Sequence, residues 1–434
     1  MLSVEENKLL TQVAAGTPMG EMLRRYWHPV CAVDQVLESP FRTREVKILG
    51  EELVVYLDRS GRLGIVDKYC THRRASLAYG VVEQDGIRCQ YHGWKFDETG
   101  RCIEQPFEDT VHPEDRFRDK CSIRAYKAEA MGGLVFAYMG PQPVPLLPRW
   151  GLLTWDNCVR DIAITHLPCN WVQCQENSCD STHNEHLHDY GGNYFREILD
   201  GREPTWKRTR KHLKIGYDEY KYGIIKRRIT EDRDENHPRW RIGHSILFPN
   251  ILWHNSTMQI RVPIDEENTL HFSVYLWRAA PGTVAPRQDV VPSRIVQLLD
   301  ENGRYNDLQR TFNQDYLAWS SQGPVAKRDL EKLGAGDTGV IKFRSLLIKQ
   351  MNIVQDGGEP TMNIFRTPDE NSGLEWPNIP FESMEFVGGA TEESGFKYRP
   401  GEGGYSRDAD KIEQTMRTWQ GVGNEVLAAS GLGR

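Results

Sequence analysis

Two cysteine–histidine pairs are the residues of this sequence with the clearest capacity for chemistry. Cys70 and His72 are separated by one residue, and Cys89 and His92, further along, are separated by two. Two thiolates and two imidazoles suit either a tetrahedral zinc ion or a two-iron cluster. Gly93, directly after the second pair, would let the backbone approach the bound group closely. Spacing alone leaves both kinds of metal site open.

A second group of possible metal ligands follows, in a segment with three histidines and several carboxylates. Asp180 and His183 are three residues apart, so they share one face of a helix. His183 and His188 are five apart, which does not fit one face of a regular helix. A kink or a helix end must therefore intervene if both bind one ion. From spacing alone, His186 would be an equally good partner for His183, and a polar helix surface is the alternative to any metal site.

Local patterns divide the chain into two structural regions. Short apolar runs, broken by glycines and by turns such as Asp97-Glu-Thr-Gly100, predict small strands and hairpins up to about Tyr138. Four prolines between residues 141 and 148 predict a stiff connector. At the N-terminus, Ser3-Val-Glu-Glu6 predicts a capping box that starts a helix.

The region after the connector has mixed patterns. Trp171 to Leu187 and Ser293 to Leu317 have the pattern of helices. Predicted antiparallel strands cover Ile242–Leu247, Met258–Val262 and Leu270–Trp277.

Size and charge narrow the class of protein. The chain has 434 residues, of which 39% are hydrophobic and 26% charged, as expected for a globular protein of about two to three domains. A net charge of −7 without a basic run argues against nucleic acid as a partner. No apolar run is long enough for a membrane span, and the first residues do not resemble a signal peptide. The odd count of nine cysteines then favours reduced thiols in the cytoplasm.

The residues around both cysteine–histidine pairs resemble the two signature loops of Rieske [2Fe–2S] domains. The resemblance is carried by Cys70-Thr-His-Arg-Arg74 and by Cys89-Gln-Tyr-His-Gly-Trp94-Lys-Phe-Asp97-x-x-Gly100-x-Cys102. It implies that Cys70 and Cys89 bind one iron, and that His72 and His92 bind the other. It also implies that Trp94 packs beside the cluster.

The later segment Asp180-x₂-His183-x₄-His188 resembles the iron-binding helix of Rieske non-haem iron oxygenases. The resemblance selects His188 over His186, and it assigns the third ligand to Asp315, in Asn313-Gln-Asp315. The three would form a two-histidine, one-carboxylate site for mononuclear Fe(II). The resemblance gives Asp180 a different role: it would bridge an iron-binding histidine and a cluster histidine of the neighbouring subunit.

The order of these motifs implies the architecture of a Rieske oxygenase α-subunit. We expect an α+β protein with a helical segment at residues 1–40 that packs on the catalytic domain, an all-β Rieske domain at 41–148 and a catalytic domain at 149–434. The catalytic domain would have the helix-grip fold with a large antiparallel sheet. Sequence elements near Gly16–Pro29 and Ser321–Pro324 are similar to the phthalate dioxygenase branch, whose members form homotrimers or stacked trimers. Gln173-Cys-Gln-Glu-Asn177 resembles the 5,5'-dehydrodivanillate O-demethylase-like members.

The implied function is that of a terminal oxygenase, which uses O₂ and electrons from NAD(P)H to demethylate a methoxy group of an aromatic substrate. A separate reductase or ferredoxin would deliver the electrons, because the chain lacks a glycine-rich nicotinamide fingerprint. The alternative reaction is cis-dihydroxylation of an aromatic carboxylate such as a phthalate. Alternatives from other classes are a non-enzymatic Rieske electron carrier and a zinc-stabilised binding protein.

The substrate of this branch is often a carboxylate, so a cation is expected in its pocket. Arg241 and Arg261 lie at the edges of predicted strands, where either could pair with a carboxylate through two hydrogen bonds. A solvent-exposed strand arginine is the more common alternative for each.

Overall fold

The computed structural model describes residues 2–374 except 115, 207–208, 255, 279–283 and 286, together with two short strands at 389–390 and 397–398. Apart from those strands, the end of the expected catalytic domain lies outside the described residues. Within the described part of the chain, every helix is too short or too polar to cross a lipid bilayer.

The N-terminal part of the chain is built mainly from short strands. Its helices are α1 (Val4–Thr11), α2 (Pro18–Leu23), α3 (Val33–Leu37) and α4 (Pro106–Val111). Its strands are β1 (Trp27–Ala32), β2 (Thr43–Ile48), β3 (Glu51–Leu57), β4 (Leu63–Asp67), β5 (Val81–Glu83), β6 (Gly86–Arg88), β7 (Lys95–Phe96), β8 (Cys102–Glu104), β9 (Ala125–Met131) and β10 (Leu134–Tyr138). The predicted capping box forms: the Ser3 hydroxyl accepts from the Glu6 N–H at 3.1 Å, and the Glu6 carboxylate accepts from the Ser3 N–H.

These strands form two antiparallel sheets. The larger has the order β1-β10-β9-β4-β3-β2, and the smaller has the order β5-β6-β7-β8. The first cysteine–histidine loop follows β4, and the second connects β6 to β7. The all-β character predicted for this region is thus confirmed. The boundaries at residues 40 and 148 stay predictions, although β1 contributes a strand to the larger sheet while α2 packs against the C-terminal helix α10 (Thr338–Gln355).

The second half of the chain surrounds one large sheet. Its remaining helices are α5 (Gly151–Thr154), α6 (Trp171–Ser178), a π-helix (Asn184–Gly191), α7 (Gly192–Leu199), α8 (Pro238–Arg241) and α9 (Thr311–Ser320). Its strands are β11 (Cys158–Leu167), β12 (His212–Tyr220), β13 (Gly223–Thr230), β14 (His244–Leu247), β15 (Ile251–His254), β16 (Thr257–Pro263), β17 (Thr269–Arg278) and β18 (Ser293–Ile295), and a separate pair is formed by β19 (Gly389–Ala390) and β20 (Lys397–Tyr398).

The large sheet has the order β12-β13-β14-β15-β16-β17-β11-β18. All its pairs are antiparallel except β11 with β18, so the predicted antiparallel sheet is confirmed with one parallel edge. The helix predicted from Ser293 to Leu317 is wrong over most of its length. Ser293 begins strand β18, where its hydroxyl donates to Asp34 at 2.7 Å, and a helix begins only at Thr311. Pairing with β11 overrides the local helical pattern.

A buried ion-pair network holds α6 in place. The Glu176 carboxylate accepts from Arg328 at 2.8 Å and from Arg344 at 2.6 Å, and all three residues are less than a tenth exposed. Burial would raise the pKa of Glu176, but the two guanidinium groups lower it overall. Because a buried charge is tolerated only when it is paired, this network anchors the helix that leads into the second group of candidate ligands.

Candidate functional site

The two cysteine–histidine loops share one backbone hydrogen-bond pattern. The N–H of each cysteine donates to the carbonyl five residues later, that of Ala75 at 3.0 Å in one loop and that of Trp94 at 2.8 Å in the other. The residue four positions after each cysteine, Arg74 or Gly93, donates its N–H back to the cysteine carbonyl at 3.0 Å. Both residues have positive φ, 58° and 76°. Nothing in the sequence marks Arg74 as adopting the backbone conformation of a glycine.

The four expected cluster ligands come together with the thiols inside and the imidazoles outside. Cys70 and Cys89 are 1% and 3% exposed, whereas His72 and His92 are exposed, with ring centroids 4.4 Å apart. The Trp94 indole stacks on the His72 ring at 4.6 Å. A hydrogen bond from the Cys70 thiol lowers the pKa of Cys89, as expected when two adjacent thiols share a proton. This donor set fits a Rieske cluster, in which thiolates and imidazoles bind different irons.

Arg88, which the sequence does not single out, holds the second cysteine–histidine loop in place. Arg88 donates to the Gly93 carbonyl at 2.7 Å, and it pairs with Glu83 at 2.6 Å and Glu104 at 2.5 Å. The two carboxylates fix the guanidinium, which in turn fixes the turn after His92.

The second group of candidate ligands lies where the helical geometry changes. Helix α6 ends at Ser178, and the π-helix begins directly after His183. A π-helix closes its hydrogen bonds over five residues, so it brings His183 and His188 together, with ring centroids 5.1 Å apart. This is the break that their spacing requires. The His186 side chain, in contrast, is 76% exposed and lies 3.7 Å from Glu185.

Both histidines turn Nε2 toward a carboxylate from helix α9. Oδ1 of Asp315 lies 3.9 Å from Nε2 of His183 and 3.2 Å from Nε2 of His188. One ligand atom from each of the three residues lies within 4.8 Å of the others, so the group could hold a metal ion. Two imidazoles and one carboxylate are the donor set of non-haem Fe(II) sites with open coordination positions.

The Nδ1 atoms of the two histidines are held by different partners. Nδ1 of His183 lies 3.2 Å from Oδ2 of Asp180, and Nδ1 of His188 lies 3.0 Å from Oε1 of Gln314. The amide of Asn177 donates to Asp315 at 3.3 Å. Such contacts select the tautomer and orient the ring of a metal-binding histidine. Gln314 is not among the residues predicted from the sequence, and its only sequence signal is its position beside Asp315.

The electrostatics of the group favour ionised carboxylates. Burial would raise the pKa of Asp180, but hydrogen bonds from His183 and Thr182 bring it to about 2. Burial lowers the pKa of His183. For Asp315 burial acts in the opposite direction, yet the charge of His188 lowers the pKa overall. Both carboxylates are therefore ionised and ready to bind a cation. For His188 burial would lower the pKa, but the charge of Asp315 raises it overall, so a metal ion would displace a proton from this imidazole.

The two expected substrate-binding arginines lie in different surroundings. Arg241 is exposed at the end of α8. Arg261 is 1% exposed in the middle of β16, where it donates to Gln259 at 2.6 Å and stacks over Trp319. Their role in substrate binding stays a prediction.

Comparisons with known proteins match both halves of the chain. The Rieske [2Fe-2S] domain model matches residues 26–121, and the model for a LigXa C-terminal domain like region matches residues 296–369. The chain is 43% identical over 382 residues to the 5,5'-dehydrodivanillate O-demethylase oxygenase subunit of Sphingobium sp. strain SYK-6, covering 87% of each chain. It is 33% identical over 395 residues to the phthalate 4,5-dioxygenase oxygenase subunit of Pseudomonas putida, covering 82% of this chain and 88% of that one.

A solved structure has the same fold. Pseudomonas putida CBB5 NdmA aligns with a TM-score of 0.58 at 19% identity, over 79% of this chain and 95% of that one. A Rieske domain joined to a large sheet with a histidine–carboxylate group defines an iron–sulfur oxygenase. The chain belongs to the Rieske non-haem iron oxygenases, as their terminal oxygenase component.

Proposed function

We propose that this oxygenase removes the methyl group from a methoxy-substituted aromatic carboxylate, with 5,5'-dehydrodivanillate as the first candidate substrate. The main support is the 43% identity to an O-demethylase over 87% of both chains. One oxygen atom of O₂ hydroxylates the methoxy carbon, and the resulting hemiacetal breaks down to formaldehyde and a phenol. The other oxygen atom leaves as water, with two electrons from NAD(P)H and two protons.

We assign two metal centres to the described residues. The [2Fe–2S] cluster is bound by Cys70, Cys89, His72 and His92, and the mononuclear Fe(II) by His183, His188 and Asp315. Bound there, the cluster supplies single electrons and the iron activates O₂. The protein's part is to keep both imidazoles oriented with Nε2 toward Asp315, which Asp180 and Gln314 do through the opposite ring nitrogens.

We further propose that the cluster of one subunit serves the iron of the next, in a homotrimer or stacked homohexamer, with Asp180 as the bridging carboxylate. Two exposed aromatic surfaces support this arrangement. Tyr91, 54% exposed, lies directly before the cluster histidine His92, and their ring centroids are 3.8 Å apart. Tyr190 and Trp206, 39% and 64% exposed, flank the iron-binding segment and contact each other. Patches of this kind mark contacts between proteins.

Electrons would come from NAD(P)H through a separate reductase or ferredoxin in the cytoplasm. The purified protein, supplied with such a reductase and NADH, tests the proposal when it is incubated with 5,5'-dehydrodivanillate. We expect stoichiometric formaldehyde and a demethylated product, and three irons per chain by metal analysis. Two irons and no turnover would instead indicate an electron carrier.

Cis-dihydroxylation of an aromatic carboxylate is the second candidate, because the chain is also 33% identical to a phthalate 4,5-dioxygenase subunit. Phthalate in the same assay distinguishes the two reactions. Formation of a cis-diol without formaldehyde would show that the reaction is dihydroxylation and not demethylation.

A further inference from the structure

One face of the large sheet turns cations toward the iron-binding segment. Nζ of Lys226, in β13, donates to the Asp180 carbonyl at 3.2 Å. Tyr217 is paired with Lys226 across β12 and β13, and its hydroxyl accepts from the Ser181 N–H at 3.0 Å. Since alternate residues of a strand share a face, Arg228 lies on this same side, two positions along from Lys226.

Arg228 is buried without a counter-ion. It is only 9% exposed, and within the described residues no carboxylate pairs with it and no acceptor binds its guanidinium. Its neighbour Arg227, on the opposite face of the strand, pairs with Asp218 at 2.6 Å and donates to the carbonyls of Trp240 and Arg241. Lys226 and Arg227 thus both find hydrogen-bond partners, whereas Arg228 finds none among the described residues.

Other cations act on Arg228 and make its position unfavourable. Burial, together with the charges of Arg239 and Arg233, lowers the pKa of Arg228 to about 9. Asp189 acts the other way without forming an ion pair. A guanidinium that is desolvated and crowded by like charges is costly to bury unless an anion binds it.

The neighbouring strands do not supply that anion. His244 in β14 is paired with Lys226 across the strands, and its ring lies 4.2 Å from the ring of His254 in β15. Burial, together with the nearby cations, lowers the pKa of both imidazoles, that of His254 to about 3. Both imidazoles therefore stay neutral, and neither offers Arg228 a negative charge.

We propose that Arg228 binds a carboxylate of the aromatic substrate through two hydrogen bonds. This inference rests on the proposed function, since it names the residue that selects a carboxylated substrate. A planar guanidinium matches both carboxylate oxygens. A substrate held there lies on the same sheet face as Lys226, next to the segment that carries Asp180 and His183.

The test compares ligands that differ only in charge. Calorimetry on the holoenzyme measures the binding of 5,5'-dehydrodivanillate and of its diamide, without turnover, to wild type and to Arg228→Met, Arg228→Lys and Arg227→Met. For Arg228→Met we expect the dissociation constant of the dicarboxylate to rise at least about tenfold, because a charged hydrogen-bond partner is lost. The diamide should bind both proteins equally, and Arg228→Lys should restore part of the affinity.

Arg227→Met is the matched control, and it should bind the dicarboxylate as wild type does. Equal weakening of dicarboxylate and diamide in Arg228→Met would overturn the inference, because it would indicate a structural role. Absence of binding of both 5,5'-dehydrodivanillate and phthalate to the wild-type protein would also overturn it. Charge-dependent binding without formaldehyde release would leave the subsite intact and refute only the demethylation.

Discussion

Oε1 of Gln314 lies 3.0 Å from Nδ1 of His188, and the other amide atom of Gln314 donates to the Leu308 carbonyl at 2.9 Å. The second contact fixes which amide atom faces the imidazole, so Gln314 accepts and Nδ1 of His188 donates. Helix α9 thus supplies, at adjacent positions, the carboxylate of Asp315 and the group that leaves Nε2 of His188 free to bind metal.

Replacing Gln314 by leucine should weaken mononuclear iron binding by about 10- to 100-fold, since the ring of His188 loses its orienting partner. Iron analysis after dialysis against a chelator measures the loss, while the visible spectrum of the Rieske cluster should not change. Gln322→Leu, at an exposed glutamine just after the same helix, should keep its iron. Normal iron retention in the Gln314 variant would show that the packing of α9 alone orients His188.

Asp180→Asn should keep both metal centres and nearly abolish turnover. The asparagine oxygen can still accept from the N–H and hydroxyl of Thr182, as Oδ1 of Asp180 does at 2.6 and 2.8 Å. Its amide would then face Nδ1 of His183, donor against donor, and the negative charge between the proposed centres would be lost. Stopped-flow oxidation of the reduced cluster measures the effect. Wild-type electron transfer in this variant would refute the bridging role, and Asp200→Asn at an exposed site should behave as wild type.

Two alanine variants separate the histidines that spacing alone does not distinguish. His188→Ala should lose mononuclear iron and all oxygenation, because one of three ligands is removed. His186→Ala should retain both, since its side chain is 76% exposed and turned toward Glu185. Iron content and product formation are measured side by side, with the cluster absorbance as an internal reference. Iron loss in the His186 variant and not in the His188 variant would reverse the assignment.

His28 should make the protein less stable in acid. Its ring is fully buried in β1, with Nε2 2.8 Å from the Leu23 carbonyl, and burial lowers its pKa to about 4. Between an unfolded pKa near 6.5 and about 4, only the unfolded chain gains this proton. The contribution of His28 to stability is thus fully present above pH 6.5 and is lost as the pH falls toward 4.

Urea unfolding at several pH values in this window measures the effect. The amide of His28→Gln can still donate to Leu23, but it does not titrate. As the pH falls, the free energy of unfolding of this variant should therefore decrease less steeply than that of wild type, and the two slopes should differ by about 1.4 kcal/mol per pH unit. His166→Gln, at an exposed histidine in strand β11, serves as the control and should keep the wild-type slope. Parallel slopes for wild type and His28→Gln would contradict the prediction.

The features that the sequence alone predicts correctly are those that depend on short-range patterns. The capping box at Ser3, the all-β N-terminal region and the need for a break between His183 and His188 each depend on residues a few positions apart, whose hydrogen bonds are set by local spacing. The predicted helix at Ser293 fails for the opposite reason. Its backbone partner is strand β11, more than a hundred residues earlier in the chain, and local propensity does not report such pairing.

The sequence by itself determined the kinds of donor atom and their order along the chain, and with them the class of oxygenase. Only the tertiary structure decided which groups meet. Gln314 reaches His188 across 126 positions. Among the described residues, Arg228 has no ion-pair partner on one face of a strand, while Arg227 pairs with Asp218 on the other. Such contacts depend on how helix and sheet pack together. The chain order of the residues leaves that packing open, because the same side chains could be satisfied by water or by other neighbours.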